Sequence, residues 1–140
     1  MRVCGCEISA QEVRVAVVLY DEGGQVAKLP IATTRIEISD DTSDADLKSC
    51  LAEMQGFAVE HEIDTFVIKS RARKGKMAGG PATFKLETLL QLVEGTDTKF
   101  VHAATLAAFS KKEIDDYPEK LPVYLKNAFV AGVYGLMKLA

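Results

Sequence analysis

Two runs of extended-chain residues, Arg2–Ser9 and Glu12–Tyr20, are separated only by Ala10 and Gln11. The second run is rich in β-branched residues, with Val13, Val15, Val17 and Val18. Such side chains fit a pleated, half-buried surface. Two strands with so short a connection predict an antiparallel hairpin. Asp21-Glu22-Gly23-Gly24 is a turn signal. A third strand is then predicted from about Ile31 to Ile38. There Thr33, Arg35 and Glu37 alternate with Thr34, Ile36 and Ile38, giving one wet face and one buried face.

The pattern changes after this point. Ser39–Ser43 is polar, and Ser43 followed by Asp46 resembles an acidic variant of a helix N-cap signature. Leu47, Leu51, Met54, Phe57 and Ala58 recur at helical spacing to about His61. Thr65–Ile68 is a short apolar strand. Pro81 suits the first turn of a helix carried by Phe84, Leu86, Leu89, Leu90 and Val93 and closed by Gly95. Phe100–His102 is predicted as a fifth strand and Ala103–Phe109 as a short helix. A last helix runs from about Val123 to Lys138, its small residues making a close-packing surface. Three hairpin-linked strands followed by strands alternating with helices predict one α/β domain. Its mixed five-stranded sheet has three antiparallel strands, then two parallel ones, and is flanked by helices.

A length of 140 residues fits one such domain. No apolar run approaches the roughly 20 residues of a membrane span, so no membrane partner is expected. The chain opens directly as a strand without the layout of a signal peptide, which makes a cytoplasmic location the expectation. The three cysteines are an odd number and do not suggest a disulfide framework. Cys4 and Cys6 share one strand face and read as buried thiols, since no pair has zinc-finger spacing.

Charge is distributed unevenly. The chain carries 17 Lys and Arg against 20 Asp and Glu; six of the former and none of the latter lie between Lys69 and Lys85. A basic, glycine-containing segment of +6 therefore follows the fourth strand of a body that is otherwise −9. A strand that ends in such a segment and restarts as a helix is suited to meeting anions. It is not a nucleotide-hydrolysis loop, because Gly79-Gly80 is followed by Pro81 and Ala82 rather than Lys-Ser/Thr. From the residues alone, Glu7 is an edge-of-sheet acid paired with Lys69 or Arg71, and His61 and His102 are surface or helix-end residues.

The element order resembles the ribonuclease-H-like fold, and three stretches resemble its RuvC-type branch, the Holliday-junction resolvases. Gly5-Cys6-Glu7 lies near the end of the first strand, a basic loop enters a helix over Val67–Leu90, and Val101–Phe109 links the fifth strand to a Thr-containing helix. The chain is also similar, over essentially its whole length, to a family of short bacterial proteins known as a domain of unknown function. There a Lys-Gly-Lys-x-Ala-Gly-Gly run recurs, matched here by Lys74–Gly80.

The resemblance implies a nucleic-acid-binding protein. Nucleases of this fold hold two Mg²⁺ with three or four carboxylates, on strand one, at the end of strand four and on the last helix. Here Glu7 fills the first position, Ser70 stands between Lys69 and Arg71 at the second, and the last helix offers Asn127. The implied chemistry is absent or weak. Glu7 is the one expected catalytic and metal position, and Mg²⁺ or Mn²⁺ is a cofactor only if the chain is a divalent-metal nuclease. Branched or single-stranded nucleic acid is the expected partner. Its phosphates would meet Lys69, Ser70, Arg71, Arg73, Lys74, Lys76, Gly79 and Gly80, with Glu7 and Ser70 side by side beneath. The alternatives are a metal nuclease using acids not yet placed and a module docking its basic loop on an acidic protein. The small-residue face of the last helix also suits a homodimer.

Overall fold

The computed structural model describes residues 1–71 and 79–139. The predicted hairpin is present as β1 (Val3–Ser9) and β2 (Glu12–Tyr20). Its register pairs Val3 with Val18 and Ser9 with Glu12. Ala10 makes the tight turn in the left-handed region, at φ +53°.

Of the strand predicted from about Ile31 to Ile38 only Arg35–Glu37 forms, and a short strand that was not predicted, Val26–Lys28, precedes it. β3 (Val26–Lys28) pairs with the far half of β2 and β4 (Arg35–Glu37) with the near half. Pro30 lies in the gap. It has no N–H for a ladder and a fixed φ, so the ribbon cannot run through it unbroken. Backbone bonds from Leu29 N–H to the Val17 carbonyl and from Val15 N–H to the Thr34 carbonyl hold the two sides of the break. The predicted alternation survives in β4, where Ile36 is buried between exposed Arg35 and Glu37.

The helix α1 (Asp44–Glu60) follows, and its cap is the predicted one, with Ser43 Oγ accepting from the Asp46 N–H at 3.2 Å. Next come β5 (Thr65–Ser70), α2 (Pro81–Gln91), β6 (Asp97–His102), α3 (Ala103–Glu113), a 3-10 turn at Val123–Leu125 and α4 (Lys126–Tyr134). Among the described residues the sheet therefore has six strands, ordered β3-β2-β1-β5-β6 with β4 also on β2. β1 and β5 are parallel neighbours, as are β5 and β6.

Helices cover both faces. On one, Cys4, Cys6, Ile8, Phe66 and Ile68 pack against Met54 and Phe57 of α1 and Leu86 and Leu90 of α2. On the other, Val3, Ala16, Val18 and Val67 meet Leu106 and Phe109 of α3 and the apolar run Ala128–Val133 of α4. Each large side chain fully buried this way contributes about 1.5–3 kcal/mol. The Cys4 and Cys6 thiols lie in the first core with Sγ atoms 3.9 Å apart, and burial pushes the Cys6 thiol well above its usual pKa. The small residues of α4, and Gly135 just after it, serve helix-on-sheet packing. A Cβ on Gly132 would meet Val18 at 3.1 Å, and one on Gly135 would meet Val67 and Val3.

Candidate functional site

β1 and β5 end on the same edge of the sheet, beneath the start of α4. Side chains alternate along a strand, so Val3, Gly5 and Glu7 face α4 while Cys4, Cys6 and Ile8 face the α1–α2 core. The parallel ladder reaches Cys6 opposite Ile68, which brings Glu7 level with Lys69. Lys69 Nζ lies 3.4 Å from Glu7 Oε2. Ser70 shares the parity of Phe66 and Ile68 and so belongs to the other face. Its sheet partner is His102 on β6. The expected side-by-side placement of Glu7 and Ser70 is thus not what the register provides. Lys69 takes that place, as the reading of Glu7 as an edge acid paired with a loop cation anticipated.

Three groups converge on the Glu7 carboxylate. Asn127, the second residue of α4, donates from Nδ2 to Oε2 at 2.8 Å. An ionised carboxylate is acceptor-only, which sets the Asn127 amide with its nitrogen inward. Lys69 approaches the same oxygen, and Arg14 Nη1 lies 3.7 Å from Oε1. Arg14 is the cross-strand partner of Glu7 in the hairpin.

The charges continue outward. Arg14 Nε is 2.9 Å from Glu12 Oε2, and Arg35 Nη1 is 3.9 Å from Glu12 Oε1. The Arg35 guanidinium lies over the Tyr124 ring, 4.7 Å from its centroid. Tyr124 is hydroxyl-bonded to Thr34, and that contact and the Arg35 charge hold its pKa below the usual phenol value. The Tyr124 contact and then Glu12 raise the pKa of Arg35.

The basic segment begins beside this cluster. Arg71 Nη1 reaches the Ile8 carbonyl at 3.5 Å. Across the gap, a Cβ on Gly79 would lie 3.1 Å from Arg71 Cβ, and Gly80 caps α2. Arg73, Lys74 and Lys76 lie outside the described residues. Lys85 folds back to Asp41, at 3.7 Å from its carboxylate. His61 caps the C-terminus of α1 and His102 stands at the N-terminus of α3, so both are helix-end residues as expected.

The donor set does not fit two divalent ions. Mg²⁺ and Mn²⁺ take hard oxygen ligands, and a pair of them needs several carboxylates. Here one carboxylate is surrounded by an ammonium, a guanidinium and an amide N–H, all of which repel a cation. Among the described residues no group of three or more His, Cys, Asp or Glu is placed to hold a metal. The sequence from Ala72 to Ala78 contains no carboxylate or imidazole to add to it.

Sequence reasoning missed Arg14. The signal was available, because a hairpin turning at Ala10-Gln11 sets Glu7 opposite Arg14. It also missed Glu12, Arg35 and Tyr124, which depend on how β4 and the turn before α4 reach β2.

The sheet order and the helices on both faces define a ribonuclease-H-like fold of the RuvC type. Thermus thermophilus RuvC matches with a TM-score of 0.67 at 9% identity, over 95% of this chain and 92% of that one. T. thermophilus RuvC in complex with Holliday junction substrate gives 0.67 at 12%, over 95% and 91%. The fowlpox virus Holliday junction resolvase gives 0.54 at 14%, over the full length of both chains. No curated protein sequence matches. The chain belongs to the family described as "Protein of unknown function (DUF3010)", whose model matches residues 1–134.

Proposed function

We propose that this protein binds branched nucleic acid on the sheet edge where β1 and β5 end, and that it lacks two-metal strand cleavage. The observation that carries the reading is the joining of two features at one edge. A run with six cations and no acid leaves β5. The Glu7 carboxylate beside the start of that run is already paired with Lys69 and Arg14. On a body of net negative charge, such an edge is a focused site for phosphates rather than a generally basic surface.

Lys69, Arg71, Arg73, Lys74 and Lys76 meet the phosphates. Gly79 and Gly80 let the backbone come close. Ser70 faces away from Glu7 and has no part in the Glu7 cluster. The likeness to a RuvC bound to a Holliday junction favours a branched substrate over a plain duplex. A metal-nuclease reading needs acids that the described donor set does not supply. No helix among the described residues is long and apolar enough to cross a membrane.

Fluorescence anisotropy of labelled four-way junction, duplex, single-stranded DNA and RNA tests this, at low and moderate salt and in EDTA. Junction binding that falls by about tenfold or more in an Arg71→Ala/Arg73→Ala/Lys74→Ala/Lys76→Ala variant supports the proposal. Absence of binding to every nucleic acid at low salt overturns it and leaves docking on an acidic protein as the use of the basic run. Mn²⁺-dependent cleavage that disappears in Glu7→Gln overturns the non-catalytic part.

A further inference from the structure

Beside the Glu7 cluster, α3 and α4 leave a cleft of about 240 Å³ lined in part by Lys69, Ala103, Ser110, Tyr117, Lys126 and Asn127. Among the described residues, two ammonium groups line it and no carboxylate does. Lys126 Nζ rests 4.7 Å from the Tyr117 ring centroid. Lys69 is held by Glu7, but Glu7 is shared with Arg14 and Asn127. One carboxylate therefore stands against two cations, and Lys126 adds a third positive charge on the cleft wall.

We propose that this cleft takes a strand phosphate directly, with the Lys69 ammonium in the role that divalent cations have in nucleases of this fold. A carboxylate and a phosphate side by side repel each other, and a metal ion resolves the conflict by bridging them. Here the bridge is part of the chain. An ammonium has three donors. One is directed to Glu7 and two remain for a phosphate oxygen. The Asn127 amide likewise has a second N–H beyond the one given to Glu7. Ala103 opens α3, so the first turn of that helix adds its N-terminal field to the same cleft. The consequence is phosphate binding that needs no divalent ion.

The inference rests on the nucleic-acid reading only for the source of the phosphate, and the test separates the two. Inorganic phosphate, and in a second arm a short single-stranded oligonucleotide, are titrated into the protein in EDTA and followed by amide NMR shifts. Both are expected to shift Ala103, Ser110 and Asn127, the oligonucleotide at lower concentration. Lys69→Gln/Lys126→Gln is expected to weaken both by about tenfold or more. Lys126→Gln alone, a change at an exposed side chain, is expected to weaken both by a smaller factor and keeps the test open if the double variant misfolds. Mn²⁺ added alone is expected to leave the Lys69 and Asn127 resonances unbroadened.

Shifts confined to other residues overturn the inference, as do shifts that require Mn²⁺ or titrations that the Lys variants leave unchanged. Phosphate binding at the cleft in a protein that fails to bind junction, duplex or single strands breaks the proposed function and leaves this inference standing for free phosphate.

Discussion

Gly5 and Glu7 lie two residues apart on one face of β1, both beneath α4, and different forces fix them. At Gly5 the helix backbone itself is the neighbour. A Cβ there would run into the Ala128 carbonyl and the Gly132 N–H. At Glu7 the helix contributes a side chain, Asn127, and the sheet contributes Lys69 and Arg14. The first position is set by close packing, which tolerates no added volume. The second is set by charge, with about 15% of the side chain still exposed, and tolerates change at modest cost. Packing and charge are therefore separable along a single strand.

The sharpest way to break this contrast is Gly5→Ala. The added methyl meets backbone that cannot rotate away, so α4 must lift from β1. We expect a loss of about 3 kcal/mol or more, read as a fall in the urea midpoint. A loss below about 1 kcal/mol would show that α4 has room to move and that packing does not fix its distance from the sheet.

Glu7→Gln is the counterpart. The Gln carbonyl can still accept from Asn127, while Lys69 and Arg14 lose their charged partner. Partly exposed pairs of this kind contribute about 1 kcal/mol or less, so a small loss of stability is expected. Nucleic-acid binding is expected to tighten severalfold at low salt, because two cations are released toward phosphate. The gain should shrink as salt rises. Weaker binding in Glu7→Gln would mean that the carboxylate takes part in holding the ligand.

These two positions also show what was legible in the sequence. Gly5-Cys6-Glu7 was legible as the end of a first strand and Asn127 as a polar residue near the start of the last helix, but their 2.8 Å contact was not, because it joins residues 120 positions apart. The hairpin turn implies Arg14 opposite Glu7. β4 falls inside the strand expected from about Ile31 to Ile38, with Ile36 on its buried face as the alternation implied, whereas β3 was not legible, because its three residues are all partly buried and show no alternation. The Lys69-for-Ser70 exchange turned on a one-residue register, and in a period-2 element a shift of one moves a side chain to the opposite face. Arg35 joins Glu12 to Tyr124 across three separate elements, and no local pattern connects those residues.

Ser43→Ala sets a local interaction against the strand pair. The Ser43 hydroxyl accepts from the Asp46 N–H at the start of α1 and lies far in sequence from Glu7. Its loss is expected to cost about 1 kcal/mol without altering nucleic-acid affinity. A matched fall in affinity would tie α1 to the edge where β1 and β5 end, against the separation of packing from charge along β1.

Ser70→Ala has the smallest expected effect and tests the register most directly. Ser70 and Lys69 are adjacent in β5, yet the alternation sends Lys69 to the Glu7 face and Ser70 to the other. Stability should change by no more than about 0.5 kcal/mol, as for a substitution outside any packed or charged cluster. Junction affinity should also stay the same, while Lys69→Gln lowers it severalfold under identical conditions. The two variants share a backbone position to within one residue, so a general disturbance of the strand end would affect both alike. Equal losses from Ser70→Ala and Lys69→Gln would mean that the binding edge is defined by the chain's path after β5 rather than by the face that Lys69 shares with Glu7.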